Sequence, residues 1–308
     1  MKKPRKRKIL LALAAVPVAL AALALFAYLG ARRRLGRVHQ VHTSTLAAPE
    51  DTDQAAHAAS VARGEHLVRA RYGCANCHGE DLGGGFMLDE PAMGRWPAPN
   101  LTRGRGGLAA DFDLQDWERI VRHGVRPDGT AAVMPSQDFA AMSDEELLDI
   151  VAYVRSRPAV DREMPERSFG PVGTLLLALG KLPLSAEQLA GRTEHPARPP
   201  EAAPTKVFGA HLAQTCIACH GPGFAGGPIP GGAPDWPPAA NLTAHADGLG
   251  AWDEDDFRRL MRTGRRPDGS EVRAPMLEVV RLGQAMTDTE LRALWAYLRS
   301  LPPQPTPR

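Results

Sequence analysis

The chain has 308 residues, enough for two domains of about 100 residues each with segments to spare. Its formal net charge is +2, so no global charge argument points to nucleic acid or to acidic partners. All four cysteines fall in two short motifs, which excludes a disulfide framework.

The positive charge is locally concentrated at the N-terminus. Lys2, Lys3, Arg5, Lys6, Arg7 and Lys8 precede an uncharged run from Ile9 to Leu29, and Arg32, Arg33, Arg34 and Arg37 follow it. A helix over this run would be about 30 Å long, the thickness of a bilayer core. Pro17 inside it is tolerable in a membrane helix. A cleaved signal peptide is the alternative, but the core is long and no A-x-A site follows it. The expectation is an uncleaved anchor over residues 1–34 with its N-terminus cytoplasmic, because basic residues are more numerous before the run than after it.

The rest of the chain repeats. Ala98-Pro99-Asn100-Leu101-Thr102 matches Ala239-Ala240-Asn241-Leu242-Thr243. Arg126-Pro127-Asp128-Gly129 matches Arg266-Pro267-Asp268-Gly269, and Ala152-Tyr153-Val154-Arg155-Ser156 matches Ala296-Tyr297-Leu298-Arg299-Ser300. Two copies of one domain are therefore expected, at residues 58–158 and 204–303. A helix near Ala62 to Arg71, or Val207 to Thr215, leads each copy. It runs into Cys74-Ala75-Asn76-Cys77-His78, or Cys216-Ile217-Ala218-Cys219-His220.

This C-x-x-C-H spacing is the attachment signature of c-type haem. Two thiols add to the haem vinyl groups as thioethers, and the adjoining His is placed under the iron. A thioredoxin-like pair would not need His twice at that position, and a zinc site lacks further cysteines. Two haem c groups, bound through Cys74, Cys77, Cys216 and Cys219, follow. Their attachment places both domains on the periplasmic side of the inner membrane.

A Gly/Pro-rich stretch follows each motif. A helix is then expected from Leu114 to His123, or Glu254 to Thr263. The last helix starts at Ser143-Asp144-Glu145-Glu146, or Thr287-Asp288-Thr289-Glu290, both capping boxes, and stops before Pro158 or Pro302. Leu147, Ile150, Val151 and Val154 repeat at helical spacing and read as core. Between the copies, residues 159–203 form a linker. Its apolar Thr174 to Leu179 packs within the chain or docks on a partner, and Glu194 to Thr205 reads as semi-extended. The tail after Leu301 reads as disordered.

An electron-shuttling haem iron needs a second axial ligand beside His78 or His220, and Met is the usual soft choice. Met134 and Met276 each stand 56 residues after their proximal His. Met142 and Met286 also repeat, but each occupies the staple position before a capping box. Met87 and Met93 have no counterpart. His66 and His211 occupy matching Gly-x-His-Leu sites, which read as helix positions where Gly64 and Gly209 permit close crossing. A proximal His donates its other ring N–H to a carbonyl, for which the prolines of Trp96-Pro97 and Trp236-Pro237 are candidates. The Trp indoles either reach a haem propionate or pack on the macrocycle.

With these motifs in place, each half resembles a class I cytochrome c domain. The tandem is similar to membrane-associated dihaem cytochromes c, including cytochrome subunits of periplasmic alcohol, aldehyde and sugar dehydrogenases. Many subunits of that type carry three haems, whereas this chain has two motifs. The resemblance implies a mainly α fold, low-spin haems and one-electron transfer, with no catalytic residues of its own. Partners would be a dehydrogenase or quinol-oxidising complex on one side and a terminal oxidase or soluble cytochrome on the other. The alternatives are a dihaem peroxidase with one open iron, a cytochrome oxidase subunit, and a sulfur-oxidising dihaem protein. The last would favour a Cys ligand, and no spare Cys exists.

Overall fold

The structure, a computed structural model, describes residues 4–44, 46, 53–233 and 235–307, with side chains in the first helix described from Ala15. Lys2 and Lys3, and the side chains of Arg5, Lys6, Arg7 and Lys8, lie outside the described residues.

Helix α1 (Pro4–Leu35) continues through Pro17. Its stretch Ala15–Leu35 is long and apolar enough to cross a membrane. Most of it is exposed, including Val18, Leu23, Phe26 and Leu29, while Ala27 and Ala31 are buried.

The first domain begins with α2 (Gln54–His66), capped by Asp53, and a π-helical turn over Leu67–Arg71. The sequence places this helix eight residues too late, because His57 and the alanines around it give no apolar stripe. Short α3 (Cys74–His78) follows, then a hairpin of β1 (Gly85–Glu90) and β2 (Gly94–Ala98) in the stretch expected to be irregular. Helix α4 (Leu114–His123) has the expected bounds, with a capping box from Asp113 and Asp116. A 3-10 turn at Ser136–Asp138 precedes α5 (Asp144–Ser156), whose capping box joins Ser143 and Glu146. Val68, Leu147, Ile150, Val151, Tyr153 and Val154 lie in one buried cluster between these elements.

The linker is folded. Strand β3 (Ser168–Phe169) pairs antiparallel with β2, Gly94 opposite Phe169, to give the sheet order β1-β2-β3. Helices α6 (Pro171–Ala178) and α7 (Ser185–Gln188) follow. Leu177, Leu184 and Ala186 pack with Ala31 of α1 and with Val125 and Ala131 of the first domain. The apolar segment thus packs within the chain. Arg34 at the end of α1 pairs with Glu187 and donates to the Leu182 carbonyl at 3.2 Å, which fastens the helix exit to the linker.

The second domain repeats the plan. Helix α8 (Lys206–Leu212) leads through a 3-10 turn at Ala213–Cys216 into α9 (Ile217–His220). Then come α10 (Glu254–Thr263), α11 (Met276–Ala285) and α12 (Asp288–Leu298). Helix α11 has no counterpart in the first domain, where the matching residues form the 3-10 turn. The C-terminal tail is ordered against this domain, contrary to the expectation. The Asn241 side-chain amide donates to the Gln304 carbonyl at 2.7 Å, and Thr306 N–H donates to Asp247 at 3.0 Å.

Two glycines set how the helices cross. A Cβ at Gly64 would lie 1.9 Å from the Asp149 carbonyl oxygen, and one at Gly209 would lie 1.9 Å from that of Ala293. Only glycine lets α2 approach α5, and α8 approach α12, this closely. The Gly-x-His-Leu reading therefore holds for the crossing.

Candidate functional site

The turn of α3 carries Cys74, Cys77 and His78 together. None of the four cysteines is in a disulfide. Burial pushes the Cys74 thiol up to about 12 and the Cys216 thiol up to about 11, so both are protonated at neutral pH. A thiol in that state adds an S–H across a double bond, whereas a thiolate nucleophile or zinc ligand would first have to lose its proton.

His78 is buried, and its Nδ1 lies 2.9 Å from the Pro99 carbonyl. His220 has the same arrangement, with Nδ1 2.7 Å from the Ala240 carbonyl. Each ring donates through Nδ1, which leaves the Nε2 lone pair for a metal. Burial pushes both imidazoles below the ordinary histidine value, against the opposing pull of these carbonyls, so both rings stay neutral. The acceptor is two residues beyond the predicted Pro97 in the first domain and three beyond the predicted Pro237 in the second. In the second domain it is not a proline.

The shared Asn-Leu-Thr segment explains why those carbonyls are fixed. Asn100 is buried and donates to the Val160 carbonyl at 2.7 Å, while its own oxygen accepts from Thr102 N–H at 2.9 Å. Asn241 does the same with Gln304 and with Thr243 N–H at 2.8 Å. The segment adjoining the proximal histidine is thus tied to the chain that follows each terminal helix. The repeat itself marked these asparagines, but their role needs the fold.

Met134 and Cys74 both pack against the first core cluster, which includes Ala75 and Leu82. Met276, Cys216 and Ile217 pack against the second, which includes Phe224, and Met276 also packs against Leu260, Val272 and Val280. Both therefore join the apolar surroundings of their own attachment turn. Met142 is fully buried and Met286 also packs in the core, as the staple reading expects. The Met134 loop is held from the linker. Ser185 Oγ donates to the Met134 carbonyl at 2.6 Å and accepts from Ser136 N–H at 3.0 Å. Nothing in the sequence marked Ser185. Met276 instead opens α11, whose far end is held by Arg262 donating to the Gly283 and Met286 carbonyls at 2.8 and 2.7 Å.

These residues fit a covalently attached haem. The two thiols and the neutral imidazole share a turn, the Met is in the same cluster, and the surroundings are apolar. Among the described residues the buried Trp96 indole N–H has no hydrogen-bond partner, which suits it to donate to a haem propionate. Trp236 is 38% exposed, so the two tryptophans do not share this role.

The domains pack each other's sites together. The 3-10 turn of the Met134 loop lies against the second attachment turn, and α11 lies against the π turn that leads to Cys74. Asp138 of that loop stands beside the Cys216 and Cys219 thiols, and burial pushes its carboxyl up to about 7.

Residues 59–154 match the family model of cytochrome c oxidase, cbb3-type, subunit III, and residues 207–302 match that of cytochrome c. Among curated proteins, the chain is 29% identical to the gluconate 2-dehydrogenase cytochrome c subunit of Pantoea cypripedii, over 83% of this chain and 63% of that one. It is 30% identical to the alcohol dehydrogenase (quinone) cytochrome c subunit of Gluconacetobacter polyoxogenes, over 85% and 59% respectively. It is 27% identical to a diheme cytochrome c-type protein of Cereibacter sphaeroides, over 78% and 85%. The chain thus spans about 60% of the length of the dehydrogenase subunits that it matches.

Proposed function

We propose that this chain, which carries two cytochrome c domains in tandem behind an N-terminal apolar helix, passes single electrons through two haem c groups on the periplasmic face of the inner membrane. The iron of each haem supplies the chemistry by cycling between ferric and ferrous states. The chain supplies attachment through Cys74, Cys77, Cys216 and Cys219, and proximal ligation through His78 and His220. Met134 and Met276 are the proposed second axial ligands.

The observation that carries this reading is the paired state of the two proximal rings. Each is buried or half-buried, neutral, and fixed at Nδ1 by a backbone carbonyl, with Nε2 left free. A rigid imidazole of set tautomer holds an iron in one coordination geometry through both redox states, which suits a carrier. The packing of the second attachment turn on the Met134 loop, and of the π turn before Cys74 on α11, supports a relay between the haems.

The relatives' names favour a dehydrogenase as donor. We propose that the chain serves as the cytochrome subunit of a periplasmic dehydrogenase or quinol-oxidising complex and hands electrons to a terminal oxidase or soluble cytochrome. The chain itself would transform no substrate. Helix α1 would anchor it, with both domains in the periplasm.

The test is reduction in native membranes. Haem in the full chain should be reduced on addition of the donor enzyme's substrate, such as gluconate or ethanol, and reoxidised by air through the respiratory chain. Haem that turns over hydrogen peroxide instead would point to the peroxidase reading.

A further inference from the structure

Among the described residues, the first domain buries a polar cluster that the second lacks. Glu118 and His123 on α4 and His195 of the linker bring a carboxylate oxygen and two ring nitrogens within 4.8 Å of one another. Glu118, Arg122 and His123 are almost wholly buried. His123 Nε2 lies 3.4 Å from His195 Nε2 and 3.9 Å from Glu118 Oε1.

Part of this neighbourhood is scaffold. Arg122 donates to the Met142 carbonyl at 3.3 Å and to Asp144 at 2.7 Å. In the second domain Arg262 makes the same bonds to Met286 and Asp288, at 2.7 and 2.9 Å. There, Arg258 and Thr263 stand where the first domain has Glu118 and His123, and the Arg262–Asp288 scaffold forms without a carboxylate or an imidazole at those two positions. The fold therefore does not require Glu118, His123 and His195.

Their chemistry is that of a metal site. His195 Nδ1 lies 3.0 Å from the Ala140 carbonyl, which directs its Nε2 lone pair toward His123. Burial, Arg122 and His123 push His195 down to about 4, so it is neutral at physiological pH. Glu118 Oε1 accepts from Ser44 N–H at 3.0 Å and lies 2.8 Å from Arg122, poorly aligned for a hydrogen bond, while Oε2 is buried without a hydrogen-bond partner among the described residues. The Nε2–Nε2 distance of 3.4 Å matches the edge of a tetrahedron with bonds of about 2.0–2.1 Å to zinc, whereas the 3.9 Å from His123 Nε2 to Glu118 Oε1 is longer, so the carboxylate has to close in to ligate. With Asp144 and Arg122 included, two carboxylates face one guanidinium, so the cluster carries one net negative charge to offset a dication.

We propose that Glu118, His123 and His195 form a zinc site that pins the linker, through His195, to α4 beside the segment leaving the anchor. Zinc fits the N/N/O donor set and imposes no ligand-field geometry. The proposal is independent of the haem reading.

The experiment uses the full-length holoprotein in detergent, stripped with a chelator and then titrated with zinc chloride. Elemental analysis after dialysis should find one zinc per chain, and zinc should raise the unfolding temperature of wild type. His195→Gln should weaken binding more than about 100-fold and abolish the thermal shift, while haem absorbance stays unchanged. His245→Ala, at a partly exposed histidine outside the cluster, should bind as wild type does. Wild type that retains no stoichiometric zinc, or His195→Gln that retains it equally, would overturn the proposal. His123→Asn provides a second variant should His195→Gln lose haem.

Discussion

His66 Nε2 lies 2.9 Å from both carboxylate oxygens of Glu290, across the boundary between the domains. At the matching positions of the repeat, His211 lies 2.9 and 3.1 Å from Glu146. Each domain thus offers the histidine of its first helix to the capping-box glutamate of the other's last helix. Arg71 sits between them, 2.8 Å from Glu146 and 3.9 Å from Glu290, with its guanidinium over the Phe208 ring. The repeat becomes an approximate two-fold interface, and the same glutamates that cap α5 and α12 hold the domains together.

This interface is expected to weaken in acid. Burial pushes the Glu146 carboxyl up, but His211, Arg71 and Ser143 outweigh it and hold it down at about 2, below an ordinary value of 4.5. A depressed folded value contributes stability that is present above about pH 4.5 and lost as pH falls toward 2. The contribution is on the order of 3 kcal/mol. Denaturant unfolding followed from pH 7 to pH 3 should show the loss in wild type and a flatter profile in Glu146→Gln.

Removing the carboxylate at neutral pH should also be costly. Glu146→Ala leaves the buried Arg71 with its remaining carboxylate 3.9 Å away, and is expected to destabilise the chain by about 3 kcal/mol. Glu145→Ala, whose partner Arg198 is exposed, should fall within about 0.5 kcal/mol of wild type. Equal effects of the two substitutions in the same unfolding assay would contradict the interface reading.

Gly64→Ala should be destabilising by about 3 kcal/mol or more. The new methyl meets a backbone carbonyl at 1.9 Å and the Tyr153 Cβ at 2.8 Å, so α2 must move off α5. Gly209→Ala should do the same in the second domain. Yield of holoprotein and unfolding midpoint measure both.

Met134→Ala should open the first iron to carbon monoxide without loss of covalent haem, and Met276→Ala the second. Ser185→Ala, which frees the Met134 carbonyl, should give slower and partial carbon monoxide binding at the first haem alone. Reduced wild type should bind none. Difference spectra of the reduced proteins under carbon monoxide decide the matter. Binding by wild type at one haem would make that iron open and would favour the peroxidase reading.

Much of each domain was legible locally. Leu114–His123 and Glu254–Thr263 have the predicted bounds because their amphipathic pattern ends at a glycine. The attachment turns and the Ser143 and Thr287 boxes are short-range signals. What escaped depends on long-range partners. His66 and His211 look like ordinary helix positions until the other domain's glutamate arrives. The Pro99 and Ala240 carbonyls could not be told from their neighbours by residue type, since any residue offers one. Helix α11 escaped because Met276 was aligned with a loop methionine. The tail escaped because its docking depends on Asn241, some 60 residues away.

Covalent haem count tests the central claim most directly. Pyridine haemochrome spectra of the denatured full-length chain should show two haems per polypeptide that resist acid acetone. The count should fall to one in Cys74→Ala/Cys77→Ala, and to one in Cys216→Ala/Cys219→Ala. Haem that extracts into acid acetone from wild type, or a count that either double substitution leaves at two, would contradict the account.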